Sequence, residues 1–114
     1  MTVSLVGLTL HVSDVDRSLE FYRRLPGAAV LFHLPGRFAM LRLGDGRLGL
    51  LADQKRRFHV ELEVSDLETA AQDLRRLGFE VEGPTRRSWG EQDVLVTDPD
   101  GNLLELAVPH VPPS

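Results

Sequence analysis

Cysteine is absent from the 114 residues. Disulfides, thiolate nucleophiles and Cys-type zinc sites are therefore excluded. A basic excess is also missing: net charge is −4, against the positive balance that general nucleic-acid binding requires. No apolar run approaches the roughly 20 residues that span a bilayer. The opening MTVSLVGLTL has neither the charged n-region nor the small-residue cleavage site of a secretory signal. Neither a G-x-S-x-G elbow, a phosphate loop nor a dinucleotide fingerprint occurs. The expectation from these absences is a cytoplasmic protein that uses neither nucleic acid nor membrane. What remains is a chain with 42% hydrophobic residues, enough for one globular domain over 1–114. Its Pro-rich end, Pro109 to Ser114, reads as a tail. The basic clusters Arg23-Arg24, Lys55-Arg56-Arg57, Arg75-Arg76 and Arg86-Arg87 read as solvated faces and helix C-terminal charges.

An internal repeat organises the chain. Val12-Ser13-Asp14-Val15 recurs as Val64-Ser65-Asp66-Leu67, an offset of 52. Asp45-Gly46-Arg47-Leu48 recurs as Asp100-Gly101-Asn102-Leu103, an offset of 55. Two modules follow, at about 1–53 and 57–109, joined near Gln54 to Arg57. Each reads as strand, helix and three strands. Leu8, Leu10 and Val12 alternate with Gly7, Thr9 and His11, as a half-buried strand does. In the second module Val60, Leu62 and Val64 alternate with His59, Glu61 and Glu63. Helical stripes follow: Val15, Leu19, Tyr22 and Leu25, then Leu67, Ala70, Ala71, Leu74 and Leu77. Ser65-x-x-Glu68 forms a capping box and Ser13-x-x-Asp16 a weaker one. Gly27 and Gly78 end the helices. The remaining strands fall at 28–34, 37–43 and 47–52, then at 79–86, 91–97 and 102–108.

The helices must cover one face of the strands. The repeat offsets project the residues of the other face, which lines a cavity. The first module contributes Gly7, Thr9, His11, Phe38, Met40, Arg42, Leu48, Leu50 and Ala52. The second contributes His59, Glu61, Glu63, Asp93, Leu95, Thr97, Leu103, Glu105 and Ala107. One wall is mostly apolar with Arg42 as its full charge; the other holds four carboxylates and a histidine. An apolar cavity with convergent polar groups is a default ligand site. Clustered carboxylates draw a cation or raise one another's pKa. A solvated acidic sheet face is the plainer alternative. Trp89 precedes a strand near the cavity mouth, placed to stack on a planar ligand or to cover the core edge. His33 and His110 fall near strand ends, as surface residues do.

Val12-Ser13-Asp14-Val15-Asp16-Arg17-Ser18-Leu19-Glu20-Phe21-Tyr22 resembles the V-x-D-x-x-R-S-x-x-F-Y opening of the vicinal oxygen chelate superfamily. This is the group of glyoxalases, bleomycin-resistance proteins and extradiol dioxygenases. Trp89-Gly90 followed by Asp98-Pro99-Asp100-Gly101-Asn102-Leu103-Leu104-Glu105-Leu106 resembles its W-G…D-P-D-G-N-x-x-E-L ending. The resemblance implies an α+β fold: two βαβββ modules forming a cupped mixed sheet with helices on its outer face, often in a homodimer. Metal-using members carry a His five residues before the Val of V-x-D, a matching His in the second module, and a Glu after D-P-D-G. Some add a ligand at the first-module counterpart of that Glu. Carried onto this chain, His59 and Glu105 match, while Gly7 stands in place of the first His. The offset of 55 makes Leu50 the counterpart of Glu105. His11 lies four residues from position 7, about 13 Å along an extended strand, and Glu61 lies two residues from His59.

The metal site thus looks incomplete, and no cofactor is expected, with a divalent metal as the alternative. The leading expectation is a protein that binds a small organic ligand in the inter-module cavity through Thr9, His11, Phe38, Met40, Arg42, Glu61, Glu63, Trp89, Asp93 and Leu95. The acidic wall suggests an amphipathic, cationic ligand, and His11 is also a candidate acid–base group. The alternative is a divalent-metal-dependent lyase, isomerase or dioxygenase built on His59 and Glu105. A non-catalytic interaction module is a third reading. Substrate, catalysis and the pairing of modules within a chain or across a dimer stay open at this level.

Overall fold

The structure, a computed structural model, describes residues 1–88 and 90–109. Trp89, His110 and the rest of the Pro-rich tail lie outside the described residues. Eight strands of a mixed sheet and two helices follow in the order β1 (Ser4–His11), α1 (Val15–Tyr22), β2 (Ala29–Leu34), β3 (Phe38–Leu43), β4 (Gly46–Leu51), β5 (Phe58–Glu63), α2 (Leu67–Arg76), β6 (Val81–Arg86), β7 (Gln92–Thr97) and β8 (Leu103–Ala107). The fold is α+β, and the βαβββ pattern occurs twice. Two compact units emerge: Val6–Val60, and Met1–Leu5 with the chain from Glu61 onward. The divisions fall inside β1 and β5.

In the Val6–Val60 unit the strand order is β2-β3-β4-β1. β1 runs parallel to β4, while β3 is antiparallel to both β2 and β4. Val15, Leu19 and Tyr22 recur at helical spacing and put one apolar stripe of α1 on the sheet. Val15 and Leu19 are buried there with Ala39, Leu41 and Leu50. Full burial of a leucine such as Leu41 contributes about 1.5–3 kcal/mol. Asp16 fastens the helix further: its Oδ1 accepts from His33 Nε2 at 2.8 Å and from the Gly36 N–H at 3.0 Å. These bonds hold the Asp16 carboxyl below its ordinary pKa, the His33 bond being the larger cause.

In the other unit the order is β8-β7-β6, all antiparallel. Leu67, Ala70 and Ala71 of α2 pack on Val64, Val94, Val96 and Leu106. The two alanines keep the helix close to the strands. Arg75 Nη2 ties α2 to β6 by donating to the carbonyls of Gly83, at 2.7 Å, and Val81, at 3.3 Å. The Asp98-Pro99-Asp100-Gly101 turn closes as its sequence requires: Asp98 Oδ1 accepts from the N–H groups of Asp100 and Asn102.

Several expectations change in detail. The capping residues are not Ser13 and Ser65. Asp14 and Asp66 occupy the caps in extended backbone, and their carboxylates accept from Arg17 N and from Glu68 N and Thr69 N. A carboxylate there also complements the positive helix end. Leu25 and Leu77 leave the helical stripes: α1 and α2 end before them, and Leu77 is 73% exposed. Gly27 and Gly78 do follow the helix ends with φ of 82° and 95°, where a Cβ would be disfavoured. Among the described residues, no helix is long and apolar enough to cross a membrane.

Charge is divided unevenly. Residues 6–60 hold nine Lys and Arg against five Asp and Glu, whereas residues 61–114 hold four against twelve. A cation is therefore favoured near the second group and an anion near the first.

Candidate functional site

Strand register decides which side chains share a face. Pairing Gly7 with Arg47, Thr9 with Gly49 and His11 with Leu51 puts these residues on one side of β1 and β4. Phe38 pairs with Leu51, Met40 with Gly49 and Arg42 with Arg47. Thr9, His11, Phe38, Met40 and Arg42 thus share the face away from α1, as the alternation predicts. The Phe32 and Phe38 rings lie 5.9 Å apart, giving that face an aromatic edge.

The projected β4 residues shift by one. Leu50 is 0% exposed and belongs to the core under α1, and Leu48 and Ala39 share the helix side by the same register. Leu106, not Glu105, is the corresponding core residue of β8. The first-module counterpart of Glu105 is therefore Gly49. The offset is 55 between β3 and β7 (Ala39 and Val94) but 56 between β4 and β8 (Leu50 and Leu106), so the turn before β8 carries one residue more than its counterpart before β4.

Both first-module ligand positions are sterically closed. A Cβ on Gly7 would fall 1.9 Å from the Arg47 carbonyl oxygen, a backbone atom that cannot rotate away. A Cβ on Gly49 would fall 2.4 Å from Thr9 Oγ1. Thr9 is 1% exposed, because it fills the space over Gly49. β1 and β4 approach each other too closely here for any side chain at Gly7.

The second-module positions are built differently. His59 and Glu61 are two residues apart on β5, so one strand face carries both. Glu105 lies on β8. A ring nitrogen of His59 and carboxylate oxygens of Glu61 and Glu105 all lie within 4.8 Å of one another. His59 is only 6% exposed and both glutamates are half-buried. Glu61 is the residue that sequence spacing had set aside: two residues of strand separate its Cα from that of His59, but the side chains converge. One nitrogen and two carboxylates suit a divalent cation such as manganese, iron(II) or zinc. Local acidity favours it as well.

His11 joins this cluster through His59. His11 Nε2 lies 2.8 Å from His59 Nδ1, with ring centroids 5.1 Å apart and planes at 88°. Burial pushes the His11 imidazole below its ordinary pKa, and the neighbouring His59 adds to that effect. His11 Nδ1 is buried without a hydrogen-bond partner among the described residues.

Asp93 stands apart from the cluster. It is 5% exposed, and Arg87 binds it bidentately, Nε to Oδ2 and Nη2 to Oδ1, both at 2.7 Å. Its charge is thereby compensated within its own unit. Arg87 is held strongly protonated, chiefly by that bond and further by the charges of Asp93, Glu105 and Glu82. Sequence reading treated Arg87 as one of a surface pair; nothing in local spacing distinguishes it from Arg86. Leu95 pairs directly with Glu105 and forms an apolar neighbour to it. Glu63 lies on the same face of β5 as His59 and Glu61 but outside the convergent group.

Comparison with known proteins bears on this geometry. No curated protein sequence matches the chain. Among solved structures, a Streptomyces coelicolor methylmalonyl-CoA epimerase in complex with 2-nitronate-propionyl-CoA superimposes with a TM-score of 0.76 at 23% identity, covering 97% of each chain. A NAD-dependent benzaldehyde dehydrogenase from Legionella pneumophila gives 0.76 at 20%, covering 91% of this chain and 98% of the other. A glyoxalase/bleomycin resistance protein/dioxygenase superfamily member from Vibrio splendidus gives 0.70 at 19%, covering 95% and 100%. Identities this low speak for the fold alone, and one fold hosts many activities. A family model matches residues 4–106, which span both modules, and the chain belongs to the Glyoxalase/Bleomycin resistance protein/Dioxygenase superfamily.

Proposed function

We propose that this protein holds a divalent metal at His59, Glu61 and Glu105 and uses it to bind a small, oxygen-bearing organic ligand. The supporting observation is the convergence of three donor atoms within 4.8 Å. Three protein ligands leave coordination positions for a ligand, as open catalytic centres do. A metal there would polarise a substrate oxygen and stabilise negative charge developing on it, which fits lyase, isomerase or dioxygenase chemistry. His59 and the two glutamates hold the ion. Phe38 and Met40 offer apolar surface to the ligand body, Arg42 attracts an anionic group, and Leu95 flanks Glu105. Glu63 completes the polar lining, Thr9 is taken up in filling the space over Gly49, and Asp93 acts through Arg87 rather than on the ligand. In this reading the protein is a cytoplasmic homodimer.

Metal titration of the stripped protein with manganese, iron(II), zinc and nickel tests this. One ion per chain is the expected result. Glu61→Gln should weaken binding at least about 10-fold, as loss of a ligand or its support does. Absence of binding by every metal would reject the proposal.

The closed positions Gly7 and Gly49 favour a second reading, in which the site binds an organic ligand without metal, as in the bleomycin-resistance branch. Failure of all four metals in that same titration would move this reading to the front.

A further inference from the structure

We propose that the sheet face of the Val6–Val60 unit turned away from α1 takes an organic anion with an apolar body, its carboxylate at Arg42 and Arg47 and its body along Met40 and Phe38. This names the class of the organic ligand; it rests on the ligand-binding half of the reading above and not on the metal.

The strands of this unit carry no acidic residue. Neither Asp nor Glu occurs in β1, β2, β3 or β4. The five carboxylates of the unit lie elsewhere: Asp14, Asp16 and Glu20 on α1 and its cap, Asp45 and Asp53 in connections. Asp14 and Asp16 are also engaged already, with backbone N–H groups and with His33.

Strand register puts two arginines in one row. Ala29 pairs with Arg42, Arg42 with Arg47, and Arg47 with Gly7. Arg42 alternates with Leu41, which is 0% exposed under α1, so the row faces the other way. Like charges directly opposite each other on paired strands are destabilising. Alanine and glycine complete the row, and neither compensates the pair. Asp45, in the turn joining β3 to β4, makes no ion pair among the described residues. Arg42 is exposed and makes no hydrogen bond or ion pair among them. Arg47 is half-buried and has an interaction of its own. The charge open to a ligand therefore rests first on Arg42, with the field of Arg47 added to it. A carboxylate placed there offsets the repulsion, and a planar guanidinium can meet it with two parallel N–H···O bonds.

The rest of the face is apolar. Met40 and Phe38 follow Arg42 on the same side of β3, over about 13 Å of strand. Phe32 pairs with Met40, and its ring lies 5.9 Å from that of Phe38. A cationic end joined to an apolar track complements an acyl or aryl carboxylate. A cationic ligand would set like charge against Arg42.

The test is isothermal titration calorimetry of the full chain, stripped of metal and dialysed free of chelator. The probes are octanoate, octanol and octyltrimethylammonium, which share one chain and differ in charge. Octanoate should bind about 5-fold or more tighter than octanol, as a charge-assisted bond at an exposed site allows, and the cation should bind most weakly. Added salt should shrink the difference. Arg42→Gln should bring octanoate down toward octanol, and Arg42→Glu should put the cation ahead of octanoate. Octanol affinity should stay unchanged in both variants, which shows that they are folded. Met40→Gln should weaken octanoate and octanol together. Equal affinity for the three probes, or a cation ahead of octanoate in the wild type, would overturn the inference while keeping an organic-ligand site. No binding of any probe would overturn both the inference and the ligand reading, whatever the metals do. A change from dimer to monomer in Arg42→Glu, without octanoate binding to the wild type, would assign the face to a second copy and overturn the inference.

Discussion

At the scale of single residues, the most informative positions are two glycines and one glutamate. Gly7 is where a first metal-binding histidine is missing, and the sequence alone leaves that absence neutral. The structure makes it steric, because a Cβ would meet the Arg47 carbonyl oxygen at 1.9 Å. The sign of a substitution follows. In an unobstructed strand, Gly→Ala gains roughly 0.5–1 kcal/mol through backbone entropy. Gly7→Ala should instead destabilise by about 1–3 kcal/mol, as overpacking does, read as a lower urea midpoint at unchanged slope. A gain in stability would mean that β1 and β4 are not so closely apposed. Glu61 shows the opposite case. Its distance along the strand argues against a shared site with His59, but the reach of a glutamate side chain closes the gap.

At the scale of elements, helix termini tested the reading most sharply. Serine and aspartate adjoin each other at both helix starts, and either can cap. The aspartates do so, since Asp14 and Asp66 hold the extended backbone from which an oxygen reaches the N–H groups of the first turn. Asp66→Ala should cost about 0.5–2 kcal/mol, and Ser65→Ala much less, measured by chemical denaturation. Equal costs would return the cap to serine. Strand pairing was legible where alternation is strong, as in β1 and β5. It was not legible in β4, where Leu48, Gly49, Leu50 and Leu51 carry no alternation. A shift of one residue in such a run exchanges the two faces, which is how Leu50 was projected into the site and is found in the core.

For the molecule as a whole, the two modules share a plan but not a chemistry. The first closes its ligand positions with Gly7 and Gly49, and the second retains His59 and Glu105 and adds Glu61. Self-association belongs to this scale too. β2 exposes Val30, Leu31, Phe32 and Leu34, side chains on both faces of one strand at the end of the strand order. Exposed apolar patches mark interaction surfaces, and a second copy is the partner expected from the homodimer reading. Sedimentation should give a dimer at micromolar concentration, and Phe32→Glu should give a monomer. A wild-type monomer would remove the homodimer from the proposal.

The sequence by itself determined the repeat, the two βαβββ patterns, the family and the identity of His59 and Glu105 as matching residues. These rest on spacing along the chain, which motifs and periodicity carry directly. Only the tertiary structure decided that Glu61 converges with them, that Asp93 is bound to Arg87, that Gly49 and not Leu50 corresponds to Glu105, and that His11 touches His59. Each of these depends on register or side-chain reach between segments brought together by folding. His11 and His59 are 48 residues apart, and no local rule relates them. Their contact exists because main-chain hydrogen bonding fixes one strand end against another, and side-chain geometry then follows.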